Sequence, residues 1–246
     1  MRGNPIRGMG YLFKGFKLLP EPGIRTFVII PLVINTLLFV VAISLLVSQF
    51  GGWVDYFLSY LPDWSWLSLL HWLLWPLFAL LVILVVYYTF TLVTNFIAAP
   101  FNGVLSEKVE QRLRGERVTD EGFKALVAMI PAAIAREFAK LAYFIPRFLF
   151  VLIVSFIPVV NLIAPVLWFA FGAWMMAIQY CDYPMDNNKV SFKDMRRLLK
   201  QDRLTALGFG GLIQMVAVVP LINFLIMPVA VIGATYYWVE EYAADE

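Results

Sequence analysis

The sequence predicts an all-α integral membrane protein with two long transmembrane helices, two re-entrant (partly inserted) helical hairpins and cytoplasmic amphipathic helices. Three observations carry that prediction. The 82 residues between Arg25 and Lys108 contain no lysine or arginine, although the chain holds 19 of them. Within that gap the uncharged apolar runs are long enough to span about 30 Å of hydrocarbon. Beyond Lys124, two further apolar runs are each interrupted by a proline turn after about half that length. Lys and Arg resist translocation, so the basic flanks and both termini are expected in the cytoplasm. The loop inside the gap, with only Asp55 and Asp63, is expected outside.

Composition removes several function classes. Of 246 residues, 61% are hydrophobic and 15% charged, and the lengths of the apolar runs argue against a soluble core. Net charge is +2 with bases and acids interleaved, so no nucleic-acid-binding stripe is present. The one cysteine, Cys181, excludes an internal disulfide and a multi-cysteine metal site, and is expected to be a buried inert thiol. One histidine, no nucleophile elbow, no phosphate loop and no dense carboxylate pair in the apolar spans leave no enzyme signature, cofactor site or metal site.

Taken in order, residues 1–22 mix Arg2, Arg7, Lys14 and Lys17 with Tyr11, Phe13, Phe16 and Leu18, as expected of an amphipathic segment on a membrane surface. Pro20 and Pro22 end it, and Gly23 permits backbone geometry that other residues resist. The first crossing occupies 23–50. Its 24 uncharged residues from Phe27 to Phe50 make about 36 Å of helix, interrupted by Pro31 and Asn35. Trp53, Tyr56, Tyr60, Trp64 and Trp66 place the following loop at the outer headgroup level, with His71 in the same belt. The second crossing, 67–105, exceeds the bilayer and must tilt or project into the cytoplasm. Cytoplasmic helices are expected over 107–145, opening with a stretch from Glu107 to Lys124 that holds five bases and five acids.

Hairpin one covers 148–180 and hairpin two covers 207–239, joined by a cytoplasmic connector over 182–205. Phe148 to Ile157 offers about 15 Å of helix before Pro158, half a membrane. Aligning Pro158 with Pro220 brings Asn161 onto Asn223, a weak internal repeat. The turns' free backbone groups must be buried in protein or line a wet cavity, and paired interrupted segments of this kind often form transport sites. Full crossing is the alternative. It would export the six basic residues of the connector, which opens with a capping box at Ser191-Phe192-Lys193-Asp194.

The sharpest candidate for chemistry is the turn Pro22-Gly23-Ile24-Arg25-Thr26. A helix N-terminus presents amide donors and a positive dipole end, Gly23 allows close approach, and Arg25 adds a guanidinium. That combination suits an oxyanion; pairing of Arg25 with lipid phosphate is the other reading. Asn35, Asn95, Asn161 and Asn223 are candidates along a pathway, or bonds between helices. Glu107 and Arg147 complete the pathway candidates. Arg136, Lys140 and Arg147 form a basic stripe, with Pro146 expected to break its helix.

Pro22-Gly23-Ile24-Arg25, the stretch Ile97-Ala98-Ala99-Pro100-Phe101-Asn102-Gly103 with Glu107, the run Ile178 to Pro184 with Asp186-Asn187, and Ile226-Met227-Pro228-Val229-Ala230 resemble the bacterial CysZ sulfate transporter family along nearly the whole chain. The resemblance implies an oligomeric inner-membrane protein importing sulfate for assimilation into cysteine. It also implies two full crossings plus two partly inserted hairpins. The family's sulfate site maps to Gly23, Ile24 and Arg25. Many members carry a second arginine next, where this chain has Thr26, whose hydroxyl can still donate to an oxyanion. Two functions are carried forward: a channel-like sulfate importer, and a membrane scaffold or assembly protein whose basic turn binds lipid headgroups. Channel-like passage is favoured because no acid relay is evident in the apolar spans. Against it, a dianion entering a cell faces about 2.3 kcal/mol per charge per 100 mV.

Overall fold

The computed structural model describes residues 3–60, 76–77, 79–84, 99–116 and 122–243, and among these it is helical with no strand. The chain divides into two units, Met1–Ile29 with Ala98–Glu246, and Ile30–Ile97.

Helix α1 spans Pro5–Leu18, with the Asn4 side chain accepting the Ile6 N–H at its N-terminus. Helix α2 spans Arg25–Leu58. A helical stretch covers 99–113, and α3 runs over Gly122–Ser155. A short 3-10 turn, Val160–Ile163, leads into α4, Ala164–Asn187. Then come α5 over Phe192–Gln201, α6 over Arg203–Ala217 and α7 over Pro220–Glu241.

In the smaller unit, α2 is apolar on every side, and Val33, Leu37, Phe39, Val40, Val41 and Leu45 are all exposed. Such a helix is stable only in an apolar surround. Two of its hydroxyls are satisfied within the helix, Ser44 donating to the Val40 carbonyl at 2.8 Å and Ser48 to the Leu45 carbonyl at 3.0 Å. The helix does not stop at Phe50, where the sequence reading ended the crossing. It continues through Gly51-Gly52 to Leu58, because two glycines weaken a helix by about 1 kcal/mol each without forbidding it. Most of the expected second crossing, along with Trp64, Trp66 and His71, lies outside the described residues.

The larger unit has its core where α1 packs on α6 and α7, and α4 packs on the same pair. Tyr11 stacks on Tyr237 with ring centroids 5.1 Å apart, over fully buried Leu12, Phe209, Ile178, Ile213 and Ile232. The helices approach through glycine: a β-carbon at Gly8 would overlap the Thr205 carbonyl, and one at Gly210 the Ala173 carbonyl. Gly8→Val and Gly210→Leu are therefore expected to lower the melting temperature of the detergent-solubilised protein, each costing about 1–3 kcal/mol. Unchanged melting in both would contradict backbone contact at these crossings.

The N-terminal helix is fastened by charge as well. Arg7 pairs with Glu241 at 2.7 Å, Lys14 pairs with Glu240, and Tyr11 donates to Glu241. Burial, and then the bond to Glu241, push the Tyr11 phenol well above its usual range, so it stays a neutral donor. Two bases expected to face headgroups thus face carboxylates of α7, while Ile6, Met9, Phe13 and Lys17 are exposed.

The hairpin helices are longer than the apolar runs suggested. Pro146 does not end α3, which continues through both Pro131 and Pro146. Proline frees the carbonyl one turn back and disturbs its neighbours; beside it the Arg147 guanidinium donates to the Tyr143 carbonyl at 2.8 Å. Residues Ile130–Ser155 and Val160–Asn187, 26 and 28 in number, are each long and apolar enough to cross a membrane. Trp168 donates to Ser155 at 3.0 Å across this hairpin, and Phe148 meets Trp168 edge-on at 5.3 Å. At the tip Val159 adopts φ +71°, a left-handed conformation costly for a β-branched residue, and Phe156, Val159 and Leu162 are exposed. The second hairpin turns more tightly. Pro220 opens α7 at its first position, where its missing N–H costs nothing, and Pro228 lies inside the helix. Asn161 therefore sits on a 3-10 turn and Asn223 in a helix, so the repeat holds in sequence but not in local conformation.

The connector forms α5 as its capping box predicts: Ser191 Oγ accepts the Asp194 N–H at 3.1 Å, while Met195 and Leu199 are buried. Cys181 is buried.

Candidate functional site

The turn between α1 and α2 forms because proline, glycine and a carbonyl bridge are placed to make it. Pro20 and Pro22 follow the end of α1, and Gly23 takes φ +91°, a region that L side chains avoid. The Glu21 carbonyl accepts both the Ile24 N–H at 3.2 Å and the Arg25 N–H at 3.3 Å. Ile24 is buried at 4% exposure and anchors the turn, whereas Pro22, Gly23 and Arg25 are exposed.

This differs from a run of open amides. Two of the N–H groups are already used, because a tight turn closes on its own carbonyl. The Gly23 N–H has no hydrogen-bond partner among the described residues, and apart from its two chain neighbours none of them comes within 4 Å of where its β-carbon would be. The Arg25 guanidinium has no ion pair among the described residues, and the side chain of Thr26 lies outside them. What the turn offers an anion is thus one amide, one guanidinium and the N-terminal end of a 34-residue helix.

The turn is held to the rest of its unit by Glu21, whose carboxylate pairs with Arg112 on the helical stretch 99–113. Glu107 lies one turn earlier on that stretch and accepts from Gln111 at 3.2 Å. With Glu110, Gln111, Arg114, Glu116, Asn187 and Asn188 it lines a cavity of about 450 Å³. Arg147 is committed elsewhere, its guanidinium 3.4 Å from the centroid of the Tyr143 ring. Asn161 is exposed on the tip of hairpin one. Asn95 lies outside the described residues, as do the side chains of Asn35 and Asn223. The described candidates are therefore not gathered into one pocket.

A buried charge cluster was read from sequence only in halves. Arg136 and Lys140 were seen as a basic stripe; opposite them, on α4, stand Asp182 and Asp186 at the same four-residue spacing. Arg136 reaches Asp182 and Asp186, each at 3.0 Å, and donates to the Val190 carbonyl at 2.9 Å. Lys140, 4% exposed, pairs with Glu137 at 2.5 Å and with Asp182 at 3.4 Å. Two matched i, i+4 pairs of opposite sign were the available signal. A cavity of about 250 Å³ adjoins the cluster, lined in part by Ala99, Gly103, Arg136, Asp182 and Asn187. Asn187 donates across it to the Gly103 carbonyl at 2.8 Å, and Asn102 donates to the Tyr183 hydroxyl at 3.3 Å. This cluster joins residues 99–103 to residues 182–187 and ties α3, α4 and the 99–113 stretch together.

Residues 11–228 match the family described as sulfate transporter CysZ/etoposide-induced protein 2.4. A protein named sulfate transporter CysZ from Pseudomonas syringae pv. tomato is 52% identical over 246 residues, covering 100% of this chain and 96% of its own. One of the same name from Pseudomonas fluorescens is 50% identical over 98% of this chain and 96% of its own, and one from Pseudomonas aeruginosa is 49% identical over 96% of each. This is a family of transporters, not enzymes, and the chain is a membrane protein that belongs to it: the sulfate transporter CysZ/etoposide-induced protein 2.4 family.

Proposed function

We propose that this protein imports sulfate across a bacterial inner membrane, with both termini cytoplasmic, supplying sulfate for cysteine synthesis. The single observation that carries the reading is 52% identity, along the full chain, to a protein named sulfate transporter CysZ. Sulfate binds at the turn formed by Gly23, Ile24, Arg25 and Thr26, where an amide, a guanidinium and a helix N-terminus serve a dianion. Passage is channel-like, driven by the sulfate gradient, and the protein works as a homo-oligomer. Uptake of labelled sulfate into proteoliposomes tests the function: saturable accumulation above empty vesicles, unchanged by an imposed proton gradient, is expected. Absence of uptake would favour a scaffold, and dependence on the proton gradient would replace the channel with a coupled carrier.

The two hairpins enter from the cytoplasmic side and return to it, keeping the basic connector inside. Impermeant thiol labelling of Val159→Cys, in a chain whose native Cys181 is buried, tests this. No labelling from the outer face is expected. Efficient outer labelling at position 159 would mean that α3 and α4 cross completely.

A further inference from the structure

Glu21 enters the candidate site twice. Its carbonyl holds the Ile24 and Arg25 amides, and its carboxylate meets Arg112, with Oε2 shut off from solvent. Tyr236 of α7 lies within electrostatic reach of both charges, and the Lys14 ammonium sits 5.5 Å from the centroid of the Tyr236 ring. The rest of the turn is sparsely held: Pro22, Gly23 and Arg25 are exposed, and Ile24 is its one buried side chain. A loosely held turn must be ordered when it binds an anion, and ordering weakens binding; a charge pair that fixes the carbonyl at its base removes part of that loss.

We propose that the Glu21–Arg112 ion pair is a strut that pre-orders the Pro22–Arg25 turn, making Glu21 and Arg112 positioning residues for oxyanion binding there. The inference rests on the sulfate-site reading above. Both side chains are more than a third exposed, so solvent screens the pair, its contribution to global stability is small and its effect is confined to the turn.

The test is equilibrium binding of labelled sulfate to the full-length protein in detergent, with melting temperature measured on the same samples. Glu21→Gln and Arg112→Ala are each expected to raise the dissociation constant by about fivefold or more, and the charge-swapped double variant Glu21→Arg with Arg112→Glu to recover most of that loss. Melting temperature and the saturating uptake rate are expected to stay at the native values. Native affinity in both single variants, with binding lost in Arg25→Ala, overturns the strut and leaves the site standing. Weak binding in the singles without recovery in the swap also overturns the strut, since the two side chains then act separately and not as a pair. Native binding in Arg25→Ala overturns the site and the strut together. A fallen melting temperature in Arg112→Ala is checked with Arg112→Lys, which keeps the charge and is expected to bind within about threefold of native.

Discussion

Arg25→Ala is expected to weaken sulfate binding by at least about tenfold, because a charge-assisted contact to a dianion is among the stronger polar interactions. The expectation follows from how little else the turn offers. With the Ile24 and Arg25 amides bonded to the Glu21 carbonyl, the Gly23 amide and the helix end are left to replace a guanidinium. The side chain is exposed and has no ion pair among the described residues, so its removal leaves no buried charge unpaired and no fold defect accompanies the loss. Arg25→Lys keeps a point charge without the planar fork and is expected to fall between the two. Isothermal titration of the native and both variant proteins with sodium sulfate gives the ranking. Equal affinity in Arg25→Ala would move the site elsewhere.

Asp182→Ala is expected to cost about 3–5 kcal/mol of stability, because it breaks a buried ion-pair network. Asp182 is 2% exposed and stands between Arg136 and Lys140. Its loss leaves Lys140, itself 4% exposed, with Glu137 as its remaining ion-pair partner among the described residues. Replacing the whole triad by apolar groups, Asp182→Leu with Lys140→Met and Glu137→Leu, is expected to recover a large part of the loss, since Arg136 keeps Asp186 and no buried charge then lacks its counterpart. Thermal unfolding in detergent distinguishes these outcomes. If Asp182→Ala melts with the native protein, the cluster does not hold α3 to α4.

What could be read from sequence followed local rules. The start of α2 at Arg25, the left-handed Gly23, the Ser191 cap and the apolar face of every long helix each depend on neighbours within a few residues. The misreadings came from elsewhere. Pro146 was expected to break a helix, yet its helix packs on α4 through Tyr143, Phe144 and Phe148 and continues. Gly51-Gly52 suggested a loop because glycine is a poor helix former, but the cost is small against a helix already formed on one side. The aspartates of α4 that pair with Arg136 and Lys140 lie more than 40 residues away, beyond any helical period. The same is true of the Glu21–Arg112 pair, and of the contacts that tie α1 to Glu240 and Glu241. The stretches 97–103 and 178–187 carried the resemblance, but that Ala99, Gly103, Asp182 and Asn187 line one charged cavity needed the third dimension.

The location of a bound anion tests the central claim most directly. Crystals of the native protein grown with selenate, a sulfate analogue with an anomalous signal, are expected to show a selenium peak within about 4 Å of the Gly23 nitrogen and the Arg25 guanidinium, as hydrogen bonds to its oxygens require. A peak confined to some other part of the chain, with the Pro22–Arg25 turn empty, would contradict the account.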